Sequence, residues 1–173
     1  WQKAAGIGVP APVTRADMRI GIVSAHIRDH SVWNAIVKGW LQNLDRNRFD
    51  VRLFHLGKAR DVEPALAQTL ATHYTYGKTD PVEWAQIIHG HQLDVLIYPE
   101  IGMDPVTAKL ASVRLAPVQA ASWGHPITTG LPTIDYFLSA DALEPPQADD
   151  HYTERLVRLP GLGCFYDPPK GEV

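Results

Sequence analysis

Short runs of apolar, largely β-branched residues recur along this 173-residue chain, and helix-start signals fall between them. That alternation constrains the fold more than any other feature. Runs of this length, bounded by turn residues, read as buried strands. Arg19-Ile20-Gly21-Ile22-Val23-Ser24 carries the first, over 18–27, and further runs lie at 50–56, 93–98, 117–123, 134–139 and 156–159. A weaker run stands at 73–76. Between the first two, Ser31 is placed to cap a helix, with Val32, Ala35, Ile36, Gly39, Trp40 and Leu44 following at helical spacing. A helix is expected over 61–72. Asp80-Pro81 and Asp104-Pro105 each pair a capping carboxylate with a proline at the first helical position, opening helices over 80–90 and 104–115. Strands alternating with helices at these spacings form parallel crossovers, so a doubly wound α/β domain with a mostly parallel sheet is expected.

Composition narrows the classes of function. The formal net charge of -3 provides no excess of cations for a nucleic acid backbone. No apolar run is long enough to span a membrane. The single cysteine, Cys164, cannot form an internal disulfide and is compatible with a reducing compartment. Gly-x-Gly-x-x-Gly, the phosphate-loop lysine motif, Gly-x-Ser-x-Gly, His-Glu-x-x-His and Asp-x-Asp are all missing. Dinucleotide, kinase, hydrolase and common metal-site readings are correspondingly weak. The first residue is not Met, and the sequence ends just after Asp167-Pro168-Pro169. One domain of a longer protein is therefore expected: an approach segment over 1–17, the domain proper over 18–167, and the start of a linker over 168–173.

Ligands of an open parallel sheet bind beyond the carboxyl ends of its strands. That rule nominates the loops after the first, fourth and fifth runs. His30, beside Asp29, reads either as a helix-start residue or as a general base or orienting donor, since imidazole titrates near neutral pH. Glu100 reads either as a solvated loop carboxylate or as a ligand contact directly beyond a buried strand. The turn Gly124-His125-Pro126, with Thr128, Thr129 and Gly130, is either a tight connection or a set of N–H groups and hydroxyls facing an anion or a sugar.

An ordered series of segments resembles the catalytic region of the O-GlcNAc transferases, glycosyltransferase family 41. It comprises Arg19-Ile20-Gly21-Ile22-Val23-Ser24 with Asp29-His30, Leu115-Ala116-Pro117-Val118-Gln119-Ala120 leading into Trp123-Gly124-His125-Pro126, then Thr128-Thr129-Gly130, Ile134-Asp135-Tyr136 and His151-Tyr152-Thr153-Glu154-Arg155-Leu156. Tyr98-Pro99-Glu100-Ile101-Gly102-Met103-Asp104-Pro105 is most like the bacterial branch.

The resemblance implies a Rossmann-like N-terminal lobe of a two-domain GT-B glycosyltransferase. A tetratricopeptide-repeat region would precede it, and a C-terminal lobe holding the UDP-sugar would follow. It implies inverting, metal-independent transfer of N-acetylglucosamine from UDP-GlcNAc to Ser or Thr of intracellular proteins, with no cofactor. His30 falls on the family's active-site histidine, and residues 124–130 fall on a loop at its active-site cleft. Two departures stand out: Glu100-Ile101-Gly102-Met103 replaces an Asn-Gly-Tyr-Thr turn, and His125 replaces a tyrosine. Both fall where substrate is chosen, so transfer of glucose from UDP-glucose is an alternative. A non-catalytic partner-binding module is another.

Overall fold

The computed structural model describes residues 2–3 and 5–165. The linker expected over 168–173, and residue Trp1, lie outside them. Among the described residues seven strands form one sheet: β1 (Met18–Ser24), β2 (Phe49–His55), β3 (His73–Tyr76), β4 (Val95–Tyr98), β5 (Val118–Ser122), β6 (Tyr136–Ala140) and β7 (Arg155–Leu159). Their order is β3-β2-β1-β4-β5-β6-β7, and every pairing is parallel. The chain thus winds outward from β1 in one direction, returns, and winds outward from β4 in the other. The reversal between β1 and β4 is the topological switch point of a doubly wound sheet.

Helices cover both faces, and the strand periodicity of two distributes the core between them. Ile20, Ile22, Val51 and Leu53 pack with Trp33, Val37, Leu41 and Ala67. These come from a π-helical turn (Trp33–Val37) continuing into α1 (Lys38–Asn43), and from α2 (Glu63–Leu70). On the opposite face Val23, Phe54, Leu96 and Tyr98 pack with Trp84, Ile88 and Leu110. These last belong to α3 (Pro81–Gly90) and α4 (Pro105–Ala111). The Asp-Pro pairs open both helices: Asp80 accepts from the Val82 N–H at 2.9 Å, and Asp104 from the N–H groups of Val106 and Thr107 at 2.8 and 2.9 Å. Ahead of β1, Ala5 and Ile7 are buried in the α3–α4 face, and Gln86 donates to the Ala5 carbonyl.

Two expectations shift. Ser31 does not cap the first helix; His30 does, with its ring Nδ1 accepting from the Val32 N–H at 3.1 Å while its carbonyl accepts from the Asn34 N–H. The helix expected to reach 115 stops at Ala111. Beyond it the Leu115 N–H donates to the Gln119 side chain, and Arg114 makes a two-pronged pair with Asp135 at 2.5 and 3.0 Å. As expected from the sequence, β5 and β6 are joined without a helix, leaving a long loop over 123–135 on the carboxyl edge.

Candidate functional site

All the loops nominated from sequence open on the carboxyl edge of the sheet. Two glycines show how closely they back onto one another. A side chain at Gly57 would meet the Ala25 carbonyl oxygen at 2.1 Å, and one at Gly124 would meet that of Pro99 at 2.4 Å. The β2 loop thereby abuts the β1 loop, and the β5 loop abuts the β4 loop. Gly102 has φ of 103° and lies against the His125 ring, so His125 seals the β5 loop over the β4 turn.

At the switch point, the β1 loop contributes His26, Asp29 and His30. The Asp29 N–H donates to Asp61, its carboxylate accepts from the Asn34 amide at 2.9 Å, and the residue is exposed. Burial holds the His30 imidazole below its ordinary 6.5, helped by the neighbouring His26 and Arg28. The His26 and His30 rings lie 4.3 Å apart, centre to centre. Beneath them is Glu100, with none of its surface exposed. Glu100 Oε1 accepts from the Ala25 N–H at 2.8 Å and lies 3.4 Å from His26 Nδ1. Its Oε2 is buried and has no hydrogen-bond partner among the described residues. A cavity of about 300 Å³ opens beside this cluster, lined by His26, Arg28, Lys58, Arg60, Met103 and Asp104.

Further along the edge, the β5 loop is tied to a second buried carboxylate. Glu154, 5% exposed, accepts from the Thr128 hydroxyl at 2.7 Å, the Thr129 N–H at 2.8 Å and the Thr129 hydroxyl. Burial raises the Glu154 carboxyl, but those hydrogen bonds outweigh it and hold the group below its ordinary range. The Thr128 and Thr129 groups read as ligand-facing are therefore taken up by Glu154 in this structure. Pro126 and Thr128 line the larger cavity of about 650 Å³, with Trp123, Ser139, Glu144 and Tyr152. Gly130, at φ of 65°, has open space around its Cα.

The structure thus unites Asp29, His30 and Glu100 at the switch point, and brings residues 124–130 alongside through Gly124 and His125. Sequence reasoning did not single out His26 or Glu154. Their partners lie 74 and 25–26 positions away, respectively, and leave no local signature. Among the described residues no group of three or more His, Cys, Asp or Glu side chains is placed to hold a metal ion. No described helix is long and apolar enough to cross a membrane.

Comparison with known proteins bears on the fold. A mutant Thermobaculum terrenum O-GlcNAc transferase superposes with a TM-score of 0.83 at 27% identity, covering 94% of this chain and 32% of that one. The probable UDP-N-acetylglucosamine–peptide N-acetylglucosaminyltransferase SPINDLY of Oryza sativa is 35% identical over 91 residues, 51% of this chain. A UDP-N-acetylglucosamine–peptide N-acetylglucosaminyltransferase of Giardia intestinalis is 24% identical over 163 residues, 89% of this chain. The chain spans 10% and 11% of the lengths of those two relatives. No protein-family profile matches it. Fold and carboxyl-edge loops define a Rossmann-like lobe of the GT-B glycosyltransferase type. Over the regions aligned, the chain is similar to the O-GlcNAc transferases in both sequence and fold.

Proposed function

We propose that this chain is the acceptor-side lobe of an inverting, metal-independent glycosyltransferase that moves N-acetylglucosamine from UDP-GlcNAc to Ser or Thr of proteins. The observation that carries the reading is the superposition on an O-GlcNAc transferase across 94% of the chain, with the shared fold delivering its loops to one switch-point edge. A C-terminal lobe holds the nucleotide, a helical-repeat region precedes this lobe, and the protein acts in the cytoplasm. The acceptor hydroxyl lies over the β1 and β4 loops beside His30. Its oxygen attacks the anomeric carbon as the bond from that carbon to the diphosphate breaks, the electron pair leaving with UDP. Positioning between the lobes supplies most of the rate.

The experiment is transfer of labelled sugar from UDP-GlcNAc to Ser/Thr peptides by the two-lobed protein, with His30→Ala beside it. Transfer by the wild type, and its loss in His30→Ala, are expected; a wild-type rate in His30→Ala removes that residue from the reaction. A second reading, glucose transfer from UDP-glucose, is favoured by one observation. A UDP-glucose:protein N-β-glucosyltransferase of Actinobacillus pleuropneumoniae is 38% identical over 74 residues, 43% of this chain and 12% of that protein. Donor competition between UDP-GlcNAc and UDP-glucose separates the two.

A further inference from the structure

The two neighbouring imidazoles at the switch point have opposite hydrogen-bonding surroundings. The Val32 N–H donates to His30 Nδ1 at 3.1 Å, so that nitrogen carries a lone pair and the proton of the neutral ring sits on Nε2. A ring in that state offers a donor to a ligand and has no free lone pair with which to take a proton. His26 Nδ1 instead faces the Glu100 Oε1 at 3.4 Å. Glu100 Oε1 already accepts the Ala25 N–H, so the His26 Nδ1 that faces the same oxygen is the donor, which leaves Nε2 bare. Glu100 is fully buried, is fixed by the Ala25 N–H and has His26 as its side-chain partner. This is the arrangement in which a carboxylate sets the tautomer and orientation of a catalytic histidine. His26 also lines the 300 Å³ cavity, whose other ionisable groups are Arg28, Lys58, Arg60 and Asp104. Asp104 is committed to capping α4.

We infer that His26, oriented by the buried Glu100, is the group that removes the acceptor proton, and that His30 is a hydrogen-bond donor that positions the acceptor. The inference rests on the transfer reaction proposed above. As the acceptor oxygen bonds to the anomeric carbon, its O–H bond breaks and the proton passes to His26 Nε2. The electron pair of the broken carbon–oxygen bond departs on UDP. Glu100 is a positioning residue; it touches His26, not substrate.

Two measurements test this. Long-range ¹H–¹⁵N correlation spectra of the imidazoles, recorded on the wild-type chain where both are neutral, should show His26 protonated at Nδ1 and His30 at Nε2. A His26 proton on Nε2 overturns the inference whatever the enzyme does. In the two-lobed protein, His26→Asn keeps a donor toward Glu100 but has no base. It should lower kcat about 100-fold or more and leave the donor KM within about twofold. Glu100→Gln should lower kcat about tenfold. His30→Asn keeps a side-chain cap for the helix and should raise the acceptor KM more than it lowers kcat. Wild-type kcat in His26→Asn discards the base assignment while leaving the transfer reading intact. If the wild type uses neither UDP-GlcNAc nor UDP-glucose although the tautomers are as stated, the transfer reading fails and the base role with it.

Discussion

Glu100 and Glu154 are both buried carboxylates on the same edge of one sheet, and they have opposite hydrogen-bonding environments. Glu154 collects two hydroxyls and a backbone N–H from Thr128 and Thr129, which hold the β5 loop against the start of β7. Glu100 has one backbone N–H, one imidazole at 3.4 Å and an oxygen without a partner among the described residues. A buried carboxylate saturated by donors stabilises the fold, because each donor would otherwise be stranded away from water. One left short of donors is a cost to the fold, because its desolvation is not offset by hydrogen bonds, and such a group calls for another explanation. The β5 loop is thus braced through Glu154, while the carboxylate at the β1–β4 switch keeps an oxygen without a partner.

The largest effect on stability should come from removing the brace. Glu154→Ala strands the Thr129 N–H and both hydroxyls, and should destabilise the chain by about 3 kcal/mol, read from denaturant unfolding. Next comes the seam between the β5 and β4 loops. Gly124→Ala drives a methyl group to 2.4 Å from the Pro99 carbonyl and 3.2 Å from Val32. Backbone cannot rotate aside as a side chain can, so a loss of about 2 kcal/mol is expected. Because Pro99 precedes Glu100, transfer activity should fall further than that loss of stability explains.

Acid sharpens the comparison by titrating the two sorts of group in separate windows. His55 is buried, with its pKa pushed down to about 4 by desolvation, although Asp61 opposes the shift. The unfolded chain therefore takes up that proton first, and stability falls as pH drops from about 6.5 toward 4. Glu154 and Asp135 lie below their ordinary values in the fold: their hydrogen bonds, with the Arg114 charge at Asp135, outweigh burial. Their contribution is complete above the ordinary carboxyl range and is lost as pH falls below it, through their folded values. Thermal unfolding from pH 7 to 3 should show both declines. Glu154→Gln should flatten the lower one and leave the upper one unchanged.

Much of the fold was legible because its determinants are local. The β-branched runs became strands, and Asp80-Pro81 and Asp104-Pro105 became capped helices, since cap, proline and apolar spacing all act within one or two turns. The end of α4 was not, because Leu115 and Arg114 answer to Gln119 and Asp135 rather than to the helix. The nominated loops could be located from strand order alone, but the partners within them could not. Thr128 and Thr129 resemble ligand-facing hydroxyls until Glu154 is folded against them. His26 resembles any loop histidine until Glu100 lies beneath it. Such meetings depend on register across the sheet, which no window of sequence contains.

The smallest expected change is the one that most directly tests the contrast. Glu100→Gln preserves an acceptor for the Ala25 N–H and replaces the unpartnered oxygen with an amide in the same space. If Glu100 is as weakly engaged in the fold as its single backbone donor indicates, unfolding free energy should stay within about 1 kcal/mol of wild type. Destabilisation as large as that from Glu154→Ala would show that Glu100 is also a brace, and the contrast between the two carboxylates would collapse. A near-neutral result beside a fall in transfer separates the two carboxylates by what they do, since a group serving only the fold cannot lower activity while leaving stability unchanged.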